Sequence, residues 1–354
     1  MTLRKVNKAV KRLVHLPLSG SLFRYMGNKA HHFVLKAKGD LAVAYPSTVM
    51  LELTNHCNLH CTTCPREYDF GKSMDKGNMP LERAKAIVDE LWPYLDSIGL
   101  TGMGETLMYK DLPSIVDYIR SKSKGIIITL STNAVLPNFI DKVSPLIGKV
   151  DTIQISTDGL DDVYEAIRIG SSFDTLKGNI KALSALCSKT RTTLMLNMVV
   201  TAENYHQMAD MVYFSSEVGV RYLNFTPINL SAVTGLGNEY YDLFASSSFK
   251  EQLHRLSETS VKEGAVEVTG WDYSQKGSFK NCPFPWSHFY ITWDGYVPPC
   301  CSKPFPKLLN FGNVFGKGVM PVLNSPSYCS FRSDWRNDKT PSFCSKCHFI
   351  SLNS

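Results

Sequence analysis

The sequence predicts an α/β fold: a partial, open (β/α)6 barrel followed by a small C-terminal cysteine-rich domain of β-hairpin and helix. Three observations carry that expectation. From about residue 48, short β-branched runs alternate with stretches of helical periodicity, the pattern of parallel βα units. The polar motifs of this region fall where strand runs end, which is where parallel βα barrels carry their chemistry. Cysteines cluster twice, after the first strand run and again near the C-terminus. A chain of 354 residues with 44% hydrophobic and 20% charged residues suits one large soluble domain plus a small one. It holds no apolar run of about 18 residues, so no transmembrane helix is expected.

Residues 1–47 read as a basic, partly helical arm. Residues 1–39 hold nine Lys or Arg and no Asp or Glu, so all the positive excess of the chain lies there. Leu3, Val6, Val10, Leu13 and Val14 recur at helical spacing with Lys5, Lys8, Lys11 and Arg12 between them. Such a helix can lie on an anionic membrane surface or dock an acidic partner, or it can pack on the core with a solvated basic face. Basic–aromatic interleaving is confined to Phe23, Arg24 and Tyr25, so no nucleic-acid partner is expected.

The barrel is expected over 48–228. Its strands fall at 48–53, 97–101, 126–131, 152–156, 192–200 and 222–226. The intervening helices fall at 81–95, 112–121, 138–147, 173–187 and 205–218. Pro80 suits a helix start. Six such units are two short of a closed eightfold barrel. Residues 229–269 form a connecting loop and a helix at about 247–263. The cysteine-rich domain occupies 270–354.

Cys57, Cys61 and Cys64 follow the first strand with spacing C-x3-C-x2-C. Three thiolates can hold three irons of a [4Fe–4S] cube, whose usual protein complement is four. The fourth iron is then open, the mark of a catalytic rather than a structural metal site. Zinc is the competing reading, with His56 or His60 as a fourth ligand. A disulfide is disfavoured by the odd count and by the lack of an export signal, which with ten cysteines points to metal binding in a reducing cytosol.

This run resembles the cluster-binding loop of the radical S-adenosylmethionine (SAM) superfamily. The resemblance implies a TIM-like partial barrel. It implies that SAM chelates the open iron and is cleaved by an electron from the cluster, giving a 5′-deoxyadenosyl radical that takes hydrogen from a substrate. By the same resemblance Gly102-Met103-Gly104-Glu105 corresponds to a Gly-Gly-Glu motif that meets the SAM ammonium, here with Met at the second position. Ser131, Asn133 and Ser156 stand where the family contacts the SAM carboxylate and ribose. Arg168 stands where a guanidinium pairs with that carboxylate, and Thr63 where a backbone meets the adenine. Asn197 is a weaker candidate.

Cys282, Gly295, Cys300, Cys344 and Cys347 resemble the SPASM/Twitch extension of these enzymes, with 289–293 and 295–297 expected as a hairpin around Asp294-Gly295. No cysteine follows Cys347, which implies a single auxiliary [4Fe–4S] cluster held by Cys282, Cys300, Cys344 and Cys347. A closed zinc site is the alternative. Cys301 adjoins Cys300 and should face away. Cys329 and Cys187 are expected as helical residues that ligate nothing.

An oxidoreductase-type enzyme is therefore expected, fed by an external flavodoxin- or ferredoxin-type reductant. The arm looks too short for the leader-binding module of a peptide maturase. That favours oxidation or epimerisation of a small or sugar-type substrate, nucleotide- or lipid-linked, with a cytoplasmic or membrane-surface location. Peptide or protein maturation is the alternative, and a non-catalytic iron–sulfur sensor or carrier the reading of another class. Asp158, His288, Asp294 and Asp272 are candidates for a general base, and spacing does not choose among them.

Overall fold

The computed structural model describes residues 14–15, 20–229, 238–270, 282, 284–337, 339, 342–344 and 347. The expected amphipathic helix of the first 14 residues lies almost wholly outside them, as do Asp272 and the loop after residue 229.

Ten strands are described: β1 Thr48–Leu51, β2 His60–Cys61, β3 Ser97–Leu100, β4 Ile127–Thr132, β5 Thr152–Ser156, β6 Arg168–Ile169, β7 Thr193–Val200, β8 Tyr222–Pro227, β9 Glu267–Thr269 and β10 His288–Ile291. Eight of them make one sheet of order β10-β1-β3-β4-β5-β7-β8-β9, an order that does not close on itself. The six expected strands are its centre, and β9 and β10 extend its two edges. All the pairings described in this sheet are parallel. Val49, Leu51, Ile98, Leu100, Ile153, Ile155, Leu196 and Leu223 are all essentially inaccessible to solvent. Parallel sheets are covered on both faces, which is why these strands read as near-continuous apolar runs.

Two helices are shorter than periodicity predicts, each because of a proline. The helix Leu81–Leu91 stops just before Pro93, and Phe139–Val143 gives way to a 3₁₀ turn, Ser144–Leu146, at Pro145. Proline has no N–H for the helical ladder and clashes with the preceding turn. The helix Ser247–Glu263 matches its expected span.

The chain divides into two compact units, with the break inside β4 between Leu130 and Ser131. The first unit joins the N-terminal part through His56 to Asp75–Leu130 and Cys282–Pro341. A helix not foreseen from sequence, Gly20–Lys38, is anchored here. Tyr25 and Lys29 each reach Asp96 at 2.6 Å, and Asn28 exchanges hydrogen bonds with the Tyr45 backbone. The C-terminal part of this unit is held by Arg332, whose buried guanidinium donates to the carbonyls of Pro285, Leu41 and Leu323.

The expected hairpin is realised only in part. The Asp294-Gly295 turn forms, with Gly295 at φ +87°, but its first arm is β10, paired in parallel with β1. The segment after the turn pairs instead with 311–313, through Val297 and Phe311 and the Tyr296–Asn313 bridge. The second unit holds Cys57–Met74, Ser131–Asn281 and the last residues from Ser342. Its sheet strands are the end of β4 with β5, β7, β8 and β9.

Candidate functional site

In the second unit, the cysteine loop has little regular structure of its own. A two-residue antiparallel bridge holds it, His60 opposite Ile169 and Cys61 opposite Arg168, extended by Thr62 N–H to the Ile167 carbonyl at 2.9 Å. Arg66 is buried and donates to the Leu59 carbonyl and to Glu67. Asn133, one residue past β4, donates to Asn58 Oδ1 at 2.8 Å and lies 4.0 Å from Cys57 Sγ.

Arg168 sits at the centre. Its Nη2 pairs with Asp158 Oδ2 at 2.8 Å, and its Nη1 lies 3.9 Å from Cys61 Sγ. Burial disfavours its charge, but Asp158 and Cys61 more than offset this and raise its pKa above the usual range. Asp158 is inaccessible to solvent. Its Oδ1 accepts Val199 N–H at 2.8 Å, Oδ2 also takes Thr63 Oγ1 at 3.5 Å, and its carbonyl accepts Asn204 Nδ2. Both carboxylate oxygens of this candidate base are thus engaged, Oδ2 by Arg168 and the loop residue Thr63, and Oδ1 by β7.

Burial pushes the Cys61 thiol up to about 12, against the pull of Arg168, and raises Cys64 as well. Iron must therefore displace protons as it binds, since the thiolate is the ligand. Among the described residues no three His, Cys, Asp or Glu side chains converge on a point that one metal ion could fill. A cube spreads its ligands over separate irons. The Arg168 Nε and the Thr157 Oγ1 are buried without a hydrogen-bond partner. An unpartnered guanidinium N–H on a side chain that lies beside the Cys61 thiol is the kind of donor that an anionic ligand of the cluster would use. The residues present thus fit a SAM-binding cluster.

Ser131 is the second-last residue of β4. Ser156 ends β5 in register with Asn197 of β7, which faces Asn224 of β8 and then Thr269 of β9. Asn197 Oδ1 accepts Asn224 Nδ2 at 2.7 Å and Thr226 Oγ1 at 3.1 Å, and Thr269 Oγ1 reaches Asn224 Oδ1 at 3.1 Å. Asn224 and Thr269 were not singled out from sequence; a polar residue near the end of each strand run was the available signal.

In the first unit, the Gly102–Glu105 loop leaves β3 and packs on residues 52–56. A Cβ on Gly104 would lie 2.5 Å from the carbonyl oxygens of Thr54 and His56, so only glycine allows this approach. Glu105 is buried; its N–H donates to the His56 carbonyl at 2.8 Å, and its carboxylate accepts Leu107 N–H. Glu52, also missed from sequence, is fully buried against this loop and holds Met103 N–H at 2.7 Å.

His288 begins β10, opposite Thr48 at the N-terminal end of the parallel pair, and its Nδ1 meets Ser287 Oγ. Asp294 accepts Thr292 Oγ1 within its turn. Cys300 and Cys282 lie near Cys301, whose thiol is raised to about 12, first by burial and then by their charge. In the other unit Cys347 N–H donates to the Cys344 carbonyl, and Asn229 Nδ2 lies 3.7 Å from Cys347 Sγ. Cys329, on the helix Pro326–Arg336, turns its thiol to the Leu41 and Asn324 carbonyls. Cys187 is buried at the end of the helix Phe173–Cys187.

The buried Asp158–Arg168 pair gives a thermodynamic test. Asp158→Asn leaves Arg168 buried and uncompensated, and should cost about 3–5 kcal/mol of stability. Adding Arg168→Met should recover part of that loss. A double-variant cycle on thermal unfolding checks this; additive losses would contradict the pair.

The model of the Radical SAM superfamily matches residues 51–214, and that of the SPASM iron–sulfur cluster-binding domain matches residues 282–348. The antilisterial bacteriocin subtilosin biosynthesis protein AlbA of Bacillus subtilis is 23% identical over 343 residues, 93% of this chain and 73% of that protein. The mycofactocin maturase MftC of Mycolicibacterium smegmatis is 28% identical over 228 residues, 64% of this chain and 54% of MftC. Among solved structures, Streptococcus suis SuiB bound to S-adenosylmethionine superposes with a TM-score of 0.67 at 18% identity, covering 92% of this chain and 76% of SuiB. SuiB has also been solved with its precursor peptide SuiA. The cysteine triplet, the strand-end polar residues and both domain matches place this chain in the radical SAM superfamily, with a C-terminal SPASM iron–sulfur domain.

Proposed function

We propose that this radical SAM enzyme matures a ribosomally made peptide. The bound cluster and SAM would supply the chemistry, reductive cleavage of SAM to a radical that takes hydrogen from the substrate. Cys57, Cys61 and Cys64 would hold the cluster. Thr63, Gly102, Gly104, Glu105, Ser131, Asn133, Ser156 and Arg168 are the proposed SAM contacts. Cys282, Cys300, Cys344 and Cys347 would hold an auxiliary cluster that relays the electron left after hydrogen removal. An external flavodoxin- or ferredoxin-type protein would provide the reducing electron.

The observation that carries the peptide reading is the company of this chain. AlbA, MftC and SuiB are a bacteriocin biosynthesis protein, a maturase and a protein solved with a precursor peptide. This favours the peptide alternative over the small or sugar-type substrate that the short arm suggested. The strand-end row supports the change. Asn197, Asn224 and Thr269 offer hydroxyl and amide groups, which match peptide groups. A phosphorylated or nucleotide-linked substrate would ask for Lys or Arg there. Incubation of reconstituted enzyme, SAM and reductant with a short peptide encoded beside its gene should change the peptide mass by a few hydrogens. An unchanged peptide alongside a converted sugar or nucleotide would overturn the proposal.

A membrane contact has one structural support. Among the described residues no helix is long and apolar enough to cross a membrane. The helix Gly20–Lys38 nonetheless exposes Phe23 (79%), Met26, Phe33 (74%) and Val34, beside exposed Arg24, Lys36 and Lys38. An apolar stripe flanked by basic residues, with no acid in the helix, suits an anionic lipid surface. The protein should co-sediment with vesicles rich in phosphatidylglycerol and not with neutral ones, and Phe23→Glu with Phe33→Glu should abolish this. Equal sedimentation of that variant would contradict it.

A further inference from the structure

Glu52 follows β1 directly and has no solvent access. Its Oε2 accepts Met103 N–H at 2.7 Å and the Tyr290 hydroxyl at 2.6 Å. Its Oε1 accepts Trp293 N–H at 3.3 Å, and its own N–H donates to the Ile291 carbonyl. One side chain thus joins β1, the loop after β3, and β10 with its exit. Gly102 is shaped by the same contact, since a Cβ there would lie 2.6 Å from Glu52 Oε2.

The chemistry of this clasp is unusual in one respect. A buried carboxylate normally has a cationic partner, whereas Glu52 is met by three neutral donors. Burial is the largest influence on it and pushes its pKa up to about 7; the three donors pull it down, and Asp294 pushes it up. Tyr290, driven well above the usual phenol range by burial and by Glu52, remains a donor. Tyr290 and Asp294 are the titratable groups that act on Glu52. Three converging donors require an acceptor at each contact, which the ionised carboxylate supplies. Protonation turns one lone pair into a donor and so weakens one of the three contacts.

We propose that Glu52 is a positioning residue for SAM: by clasping the Gly102-Met103 backbone to β1 and to Tyr290, its ionised carboxylate sets the loop that receives the SAM ammonium. The proposal rests on reading Gly102–Glu105 as the ammonium-binding loop, and its test separates the two. With its pKa raised to about 7, Glu52 is mostly protonated at pH 6 and mostly ionised at pH 8, so the clasp strengthens on the alkaline side.

SAM affinity is measured by equilibrium dialysis on the full-length, iron-reconstituted protein at pH 6 to 8, with iron content matched between variants. The amino group of SAM titrates in the same range, so the difference between the wild-type and E52Q profiles isolates Glu52. Wild-type affinity should exceed that of E52Q by roughly tenfold at pH 8 and by much less at pH 6. Tyr290→Phe removes a donor to the ionised form and should move the midpoint of that difference to higher pH, which a purely structural role would not do. If E52Q binds SAM like wild type at pH 8 while Gly104→Ala binds poorly, the Glu52 proposal fails and the loop assignment stands. If both variants bind like wild type, the loop assignment itself fails. Should E52Q not fold, a Tyr290→Phe affinity profile that superimposes on that of wild type from pH 6 to 8 overturns the proposal.

Discussion

The buried ion pair of Arg168 and Asp158 is the interaction on which the cluster loop depends. The loop carries three thiols in eight residues and can neither form a helix nor extend a sheet of its own. It borrows order from Arg168 and Ile169 through a two-residue bridge, and Arg168 is held in turn by a carboxylate that shares its other oxygen with β7. Breaking such a pair leaves a buried charge, which costs far more than the pair itself contributes. The same guanidinium lies beside a cluster thiol and keeps one N–H unspent. The side chain that supports the loop is therefore also the one proposed to pair with the SAM carboxylate.

Much of this was legible in the sequence, for physical reasons that differ by element. The six central strands could be read because strands of a parallel sheet are covered on both faces and announce themselves as apolar runs. The cysteine spacing and the strand-end residues could be read because chemistry constrains residue type. β9 could not, being only three residues long; β10 was legible as a strand, but its parallel pairing with β1, remote in sequence, was not. The helix Gly20–Lys38 was hidden by its own surface: Phe23 and Phe33 point to solvent, so its apolar pattern does not mark a buried face.

Glu52 shows a different limit. A lone glutamate after a strand has no spacing partner, and its donors lie 51 and more than 230 residues away. Asp158 was legible as a strand-end acid but not as an ion-pair partner, because the choice between base and anchor is made by the guanidinium that the fold brings to it. His288 and Asp294 similarly took their meaning from register and turn geometry. Substrate class was the least legible of all: the arm suggested a small molecule, whereas the peptide substrate proposed above rests on similarity to AlbA and MftC and on nothing the spacing of residues could show.

The central claim is that Cys57, Cys61 and Cys64 hold a cluster that cleaves SAM. Its most direct test is the yield of 5′-deoxyadenosine from anaerobically reconstituted protein with SAM and dithionite, compared with that of Cys57→Ala carrying its auxiliary iron. The account predicts product from the wild type and none above background from the variant. Equal product from both, or none from wild type of full iron content, would contradict it.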